Sequence, residues 1–440
     1  MVVLARPIGK RHVQRIAVII IFTLAWVWIA AVAFVVWHTA TSTKSIRRVS
    51  GLSIQDPLHH QLAGDEPDEN MEQPQGLIEK ELELTKYESP TLIFTCQRAA
   101  YLDQTLADVM KYVPKSCDIG CPIIVSQDGD DEEVKRVILK YQSQKDAPPI
   151  LHIQHQKPAH VHIQVNPYEA LAVHYGWALK ETFSGNAYHN NDYPLPRRVI
   201  ILEEDIHVAP DFFDFFKATA PLLDTDSTLM GVSAFNDNGI GSNVQDASRV
   251  VRSDFFSGLG WMINKSLWDS ELSSKWPTGY WDDWLREPEQ RHDRHFLRPE
   301  ISRSFHFGVR GGASNNQFGG ALSKIVLNQE KIDWKHEDLT YLYPATFDND
   351  YWNLISSAKL ESDIKVAKEE SKLHNVRVEY TNFVTGFKRA ASQLSLMDDE
   401  KAGVPRTAYK GVVESRPYRK HFLFITPPLN TLRKVLHQSR

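Results

Sequence analysis

Three short acidic clusters hold the residues whose chemistry can be named from their types and spacing. The first closes an apolar run, Val199-Ile200-Ile201-Leu202, which leads into Glu203-Glu204-Asp205. An apolar strand ending in carboxylates presents hard oxygen ligands at a sheet edge, the ligands that Mg²⁺ and Mn²⁺ prefer. Such an ion neutralises a nucleotide diphosphate both in binding and in departure as a leaving group. The competing reading is an ordinary acidic strand end feeding the helix that begins near Asp211. The second cluster, Ser126-Gln127-Asp128-Gly129, follows Pro122-Ile123-Ile124-Val125. An acid at a strand's C-terminal end can hold a ribose hydroxyl or a base edge, or it can simply close its own turn. The third is Trp281-Asp282-Asp283-Trp284. A carboxylate between indoles offers a general base beside surfaces that pack on sugar faces, or else caps a short helix. The acids from Asp128 to Glu133 lack the spacing of a calcium loop.

Positioning these clusters needs strands that alternate with helices. Thr91–Thr95, Pro122–Ser126, Leu151–His155 and Arg198–Leu202 read as buried strands. Helical patterns fall between them over about 102–113, 131–144 and 170–182. That alternation predicts an α/β fold with a mostly parallel sheet covered on both faces. Its chemistry should collect at the C-terminal strand ends. Residues 229–333 form a second block of short strands, closing with the glycine-rich Gly308–Asn316 stretch. A C-terminal region over 334–426 gives mixed signals, and 427–440 reads as a loosely ordered tail.

The chain has 440 residues, 42% hydrophobic and 24% charged, with a net charge of −5. That balance carries no basic footprint for nucleic acid and no disordered-acid signature. Residues 16–37 are uncharged and almost wholly apolar, long enough to cross a bilayer as a helix. Arg6, Lys10, Arg11 and Arg15 precede the run, so the charge bias places residues 1–15 in the cytoplasm. The length of the run and its three tryptophans favour an uncleaved anchor over a signal peptide. Residues 38–89 are polar and acidic, a stem, and the body then faces a lumen. The three cysteines, Cys96, Cys117 and Cys121, are too few for a disulfide scaffold or a zinc site. An oxidising lumen could pair Cys117 with Cys121, leaving Cys96 buried and free. The single N-glycosylation sequon is at Asn264.

Taken in order, Ile123–Asp128, Glu204–Phe213, Val232–Gly239, Gly258–Trp261, Tyr280–Trp284, Arg298–Arg303, Met397–Asp399 and Gly403–Arg406 resemble the N-acetylglucosaminyltransferase I family. The resemblance runs from about 90 to 413. It implies a GT-A-type, Rossmann-like nucleotide-sugar domain over 90–333, anchored in the Golgi membrane as a single-pass type II protein. It also implies a Mn²⁺ cofactor and inverting transfer of GlcNAc from UDP-GlcNAc to a mannose of a high-mannose N-glycan. Position by position, Asp205 would be the metal ligand and Asp282 the catalytic base. Glu203 and Glu204 would meet the donor sugar and ribose. Arg98 would face the uridine and phosphates, and Asp128 the uracil. His174 would also touch the nucleotide, although its pattern alone suits a helix-face histidine packed in the core. Trp281 and Leu259 would wall the N-acetyl group, and Ala313 with Ser314 would close over UDP. The chain departs from the family pattern in the middle acid Glu204, in an extra residue near Gly311, and in Gly129 where the family has a cysteine. The rival readings are a sister enzyme acting on protein O-mannose, a non-catalytic glycan-binding protein, and a calcium-dependent binding module.

Overall fold

The computed structural model describes residues 86–156, 166–188, 193–308 and 319–438. The expected anchor at 16–37, nearly all of the stem, and the loop residues Ala313 and Ser314 lie outside the described residues. Among the described residues, no helix is long and apolar enough to cross a membrane.

The chain first lays down β1 (Pro90–Thr95), α1 (Ala99–Tyr112), β2 (Gly120–Asp128), α2 (Glu132–Gln142), β3 (Ile150–His155), α3 (Pro167–Ser184) and β4 (Arg198–Glu203). All four strands run parallel, in the order β3-β2-β1-β4. Every residue of β1 and β2 is buried, as expected where helices cover both faces. Alternation assigns the faces. Ile93, Ile123, Val125, Ile200 and Leu202 belong to one core, which α1, α2 and later helices share. Leu92, Phe94, Ile124, Val199 and Ile201 belong to the other, under α3. Helix α3 starts three residues before the pattern suggests, because Asn166 caps Tyr168 N and Pro167 takes the first helical position.

The rest of the sheet is mixed, so the mostly parallel expectation is met by the first four strands and by one later pair, with antiparallel neighbours between and beyond them. A short β5 (Ile206–Val208), α4 (Phe212–Thr225), β6 (Leu229–Ser233), β7 (Val250–Ser253) and β8 (Trp261–Asn264) come next. After them follow α5 (Trp281–Arg286), β9 (His295–Pro299) and β10 (Ser304–His306). The eight-stranded order is β3-β2-β1-β4-β8-β6-β9-β7, with β8 antiparallel to β4 and β6, and β7 antiparallel to β9. Strands β6 and β9 pair parallel, so the antiparallel contacts are those that β8 and β7 make with their neighbours. Asn264 Oδ1 caps the turn after β8 by accepting from Leu267 N, and its Nδ2 donates to Leu223 O. The sequon's amide is therefore already engaged inside the fold.

The C-terminal region is an ordered layer. It holds α6 (Pro344–Ser356), β11 (Lys359–Glu361), α7 (Ile364–Glu370), β12 (Val376–Glu379), β13 (Glu400–Lys401), β14 (Val404–Pro405), β15 (Val413–Ser415), β16 (Leu423–Thr426) and α8 (Leu429–Gln438). Strands β11-β12-β16-β15 make a second sheet, and β13 and β14 a small hairpin. The tail expected to be loosely ordered is helix α8. Its Leu432 and Leu436 are buried in the same core as Tyr351 and Ile355 of α6, which is what orders it. The cysteine reading is met in part: Cys117 and Cys121 are disulfide-linked. Cys96 is half-buried rather than buried, because β1 ends at a cavity wall, and its Sγ donates to Asp128 O at 3.2 Å.

The join near residue 333 is closed by Asp211, which is fully buried. Its carboxylate accepts from Arg303, Asn328 and Trp334, the indole N–H at 2.8 Å. Asp211→Ala leaves the buried Arg303 guanidinium without its counter-charge, and should cost about 3–5 kcal/mol. The check is the urea midpoint, with an unchanged midpoint as the contrary result.

Candidate functional site

Strand register brings the acidic clusters level. Phe94 on β1 stands opposite Ser126 on β2 and opposite Glu203 on β4. Asp128 stands opposite His155 on β3. The chain works outward from β1 to β3 and then returns to place β4 on β1's other side, so these ends flank the point where strand order reverses. Crevices form at such points. Here a cavity of about 820 Å³ opens, lined by Arg98, Asp128, His174, Glu203, Glu204, Asp205, Leu259, Trp281 and Asp282. Nine of the residues expected from the sequence thus share one cavity. Only Ala313 and Ser314 cannot be placed.

Asp205 sits just past β4, 2% exposed. Its Oδ2 receives Arg98 Nη1 at 2.8 Å and lies 3.3 Å from His306 Nε2. Burial opposes its charge, but His306 and then Arg98 outweigh that cost and hold the acid below the usual carboxylate range. Reciprocally, His306 is raised despite burial, through Asp205 and Glu203. Asp205 Oδ1 is buried with no hydrogen-bond partner. A buried, ionised oxygen without a donor is costly in protein alone, and it is the atom a cation would take. Among the described residues no cluster of three or more His, Cys, Asp or Glu side chains could hold a metal ion. A cation on Asp205 therefore needs phosphate and water oxygens to complete its shell, the habit of Mg²⁺-like ions at nucleotide sites.

The backbone under Asp205 is fixed from two sides. Thr105, fully buried on α1, donates its hydroxyl to Glu204 O at 2.7 Å and accepts from Ile206 N at 3.2 Å. The antiparallel β5/β10 ribbon pairs Ile206 with His306, and Phe307 N donates to Asp205 O. Glu204 commits both carboxylate oxygens inward, to Thr95 Oγ1, Cys96 N and Arg98 Nε. Its observed work is to hold Arg98 and the end of β1, rather than to offer an open oxygen to a sugar. Glu203 points into the cavity and accepts from Tyr175 OH at 2.8 Å. Burial, and then the Asp205 charge, push it up to about 7.

On the β2–β3 side, Asp128 Oδ1 pairs with His155 Nδ1 at 2.8 Å, and His174 Nε2 meets Ser126 Oγ at 2.7 Å. The His155 and His174 rings are nearly parallel, 5.5 Å apart, with Trp177 beside them. This is a carboxylate on a shelf of flat rings, suited to a planar heterocycle. His174 is both core-packed, edge-on to Phe94, and cavity-facing, so the two readings of it are not exclusive.

Asp282 lies on α5 and is the most exposed of the expected acids. Arg286 Nη1 bridges it (2.9 Å) and Asp283 (2.7 Å), and Lys401 of β13 holds Asp283 at 2.9 Å. Arg286 Nε donates to Phe256 O, which anchors the guanidinium. Trp281 is buried, stacked on Tyr175 at 4.3 Å and on Trp261 at 5.7 Å. It builds the floor, with Leu259 beside it in the cavity lining. Met397, Lys401 and Arg406 of the C-terminal region complete the wall. Arg406 is fixed there by Asp237 and, through two bonds, by Asp399.

Sequence reading passed over Thr105, Tyr175, His306 and Lys401. Thr105 and Tyr175 sit in helical stretches where they read as packing, while His306 is brought in by strand pairing and Lys401 by the tertiary fold. The one local signal was Ser304-Phe305-His306-Phe307-Gly308, a strand ending in glycine. A Cβ at Gly308 would overlap the Asp205 carboxylate. Gly308→Ala should therefore force that ion-paired carboxylate aside, lowering the thermal midpoint and weakening divalent-cation-dependent nucleotide binding at least tenfold, read by calorimetric titration. Equal affinity in the two proteins would refute this packing argument.

The GNT-I family model matches residues 52–435. An alpha-1,3-mannosyl-glycoprotein 2-beta-N-acetylglucosaminyltransferase of Arabidopsis thaliana is 37% identical over 357 residues, 79% of this chain and 76% of the relative. Among solved structures, a mannosyltransferase of Pyrobaculum calidifontis in complex with GDP-Man and Mn²⁺ is 12% identical, with a TM-score of 0.33, covering 51% of this chain and 61% of its own. S. aureus TarS 1–349 in complex with UDP-GlcNAc is 10% identical, with a TM-score of 0.32, covering 64% and 66%. Both scores are low, and the sequence matches alone assign the chain.

Proposed function

The chain belongs to the GNT-I family, and from that premise we propose how its cavity moves N-acetylglucosamine from UDP-GlcNAc to the 2-hydroxyl of the α-1,3-linked mannose of a high-mannose N-glycan, with inversion. The observation that carries the reading is the single cavity that joins Asp205, Arg98 and Asp128 at the strand ends to Asp282 on α5.

Mn²⁺ fits the donor set, since Asp205 brings one paired oxygen and one buried oxygen with no partner. When bound, the ion neutralises charge on the pyrophosphate as UDP leaves. Asp205 would hold it. Arg98, already ion-paired to Asp205 and Glu204, adds positive charge on the phosphate side. Asp128 and the His155–His174 shelf receive the uracil. Glu203, hydrogen-bonded to Tyr175, faces the donor sugar. Asp282 accepts the proton of the mannose 2-hydroxyl as that oxygen attacks the anomeric carbon and the bond to UDP breaks. Arg286 orients the base through its 2.9 Å contact. Single displacement from the face opposite UDP gives the β product.

The proposal extends to architecture and place. Residues 90–333 form a GT-A-type catalytic domain, with 334–426 as a C-terminal region that contributes to the cavity wall. Residues 16–37 anchor the body to a Golgi membrane, catalytic side lumenal. That topology rests on the apolar run and its basic flank.

Incubated with UDP-GlcNAc, Mn²⁺ and a high-mannose glycan, the full chain should form one β-1,2-linked product, and chelation should abolish it. Transfer to an O-mannosyl peptide instead would redirect the acceptor assignment. Asp282→Asn should bind UDP as the parent does and lose about 10²–10⁴-fold in kcat. Asp205→Ala should lose the Mn²⁺-dependent gain in UDP affinity. Normal turnover by the first variant, or an unaltered gain in the second, would remove the corresponding role.

A further inference from the structure

The donor side of the cavity is accounted for by the ends of β1, β2 and β4. A second set of lining residues, Tyr168, Tyr280, Asp283 and Lys401, has no part in that chemistry. Tyr280 is 47% exposed, among the few large hydrophobic side chains left in solvent. Its backbone is left-handed, φ 48° and ψ 46°, a region that residues bearing a side chain avoid. Such outliers persist where the surroundings fix them. Here they do: Tyr280 O accepts from Trp284 N in the first turn of α5, and Tyr280 OH accepts from Asn166 Nδ2 at 3.1 Å. The ring lies nearly parallel on Tyr168, centroids 4.7 Å apart. Tyr168 stands on the first turn of α3, and its hydroxyl is raised by burial and then by the charge of Asp282, so the pair lies in the field of the base. Only Trp281 separates Tyr280 from Asp282 along the chain.

A pyranose offers one face of C–H bonds and a rim of hydroxyls. Its complement is a flat, wet aromatic surface with charged hydrogen-bonding groups at the side. The Tyr168–Tyr280 stack supplies the first, and the Asp283–Lys401 pair the second. We propose that Tyr280, backed by Tyr168, is the platform on which the acceptor mannose ring packs so that its hydroxyl meets Asp282. This rests on the transferase reading above.

The test compares the full-length parent with Tyr280→Ala and Tyr280→Phe, measuring KM separately for glycan and donor. Tyr280→Ala should raise the glycan KM about tenfold while the UDP-GlcNAc KM stays put, and Tyr280→Phe should restore the glycan KM. An unchanged glycan KM in Tyr280→Ala, or an equal rise in the donor KM, overturns the platform. Should Tyr280→Ala fold poorly by its thermal midpoint, saturation transfer from the parent's tyrosine ring protons to the glycan decides. A signal on mannose C–H protons supports the platform, and no signal rejects it. A parent that transfers nothing rejects the transferase reading and the platform with it; a parent that transfers normally, with Tyr280→Ala matching it, rejects the platform alone.

Discussion

One buried carboxylate sets the terms for the rest of this structure. Asp205 is out of water and must still carry charge, a state a protein supports only with counter-charge in place. Arg98 and His306 provide it on one oxygen, and the other is left open. Glu204 helps to hold Arg98 there by accepting from its Nε. His306 can reach only because β10 pairs with β5. The turn between β4 and β5 keeps its shape because a threonine hydroxyl on α1 bonds to both of its flanks. Glu203, two residues earlier, goes the opposite way. Burial and the neighbouring charge raise it to about 7, so adjacent acids on one strand end hold different protonation tendencies near neutral pH.

Much of this was legible in the sequence, for definite reasons. Strands buried on both faces write themselves as unbroken apolar runs, so β1, β2 and β4 were readable, and the acids that end them fall at the cavity. Proline at the first turn of α3 and Asn166 before it mark a start that periodicity alone misses by a turn. The directions of the strands in the mixed half of the main sheet were not readable, because strands of four or five residues carry too little pattern to reveal them. His306 was hidden for a related reason, since it is brought to the cavity by pairing with a strand remote in sequence, and Lys401 because its short β13–β14 hairpin reaches Asp283 only through the tertiary fold. Helix α8 was passed over although Leu429, Leu432, Val435 and Leu436 fall at helical spacing, because so short a terminal stripe gains meaning only against α6, with which it shares a core.

The two halves of the main sheet divide the labour. The parallel half delivers backbone ends and acids to one edge, as parallel sheets do. The mixed half, with Trp261 stacked under Trp281, supplies an aromatic floor that carries α5 and its two aspartates. Arg286 ties those aspartates to the carbonyl of Phe256, so the position of the base is inherited from a segment just before β8 rather than from the short helix itself.

The β13–β14 hairpin gives the cavity a wall from a stretch more than a hundred residues beyond α5. Lys401 grips Asp283, and Arg406 binds Asp237 and Asp399 in one fork. The unit of inheritance for this chemistry is consequently the whole body, not its nucleotide-binding half. A chimaera that exchanged everything after residue 333 for the corresponding part of a relative would alter the ground on which the incoming sugar chain is judged, while leaving the nucleotide pocket's own residues untouched.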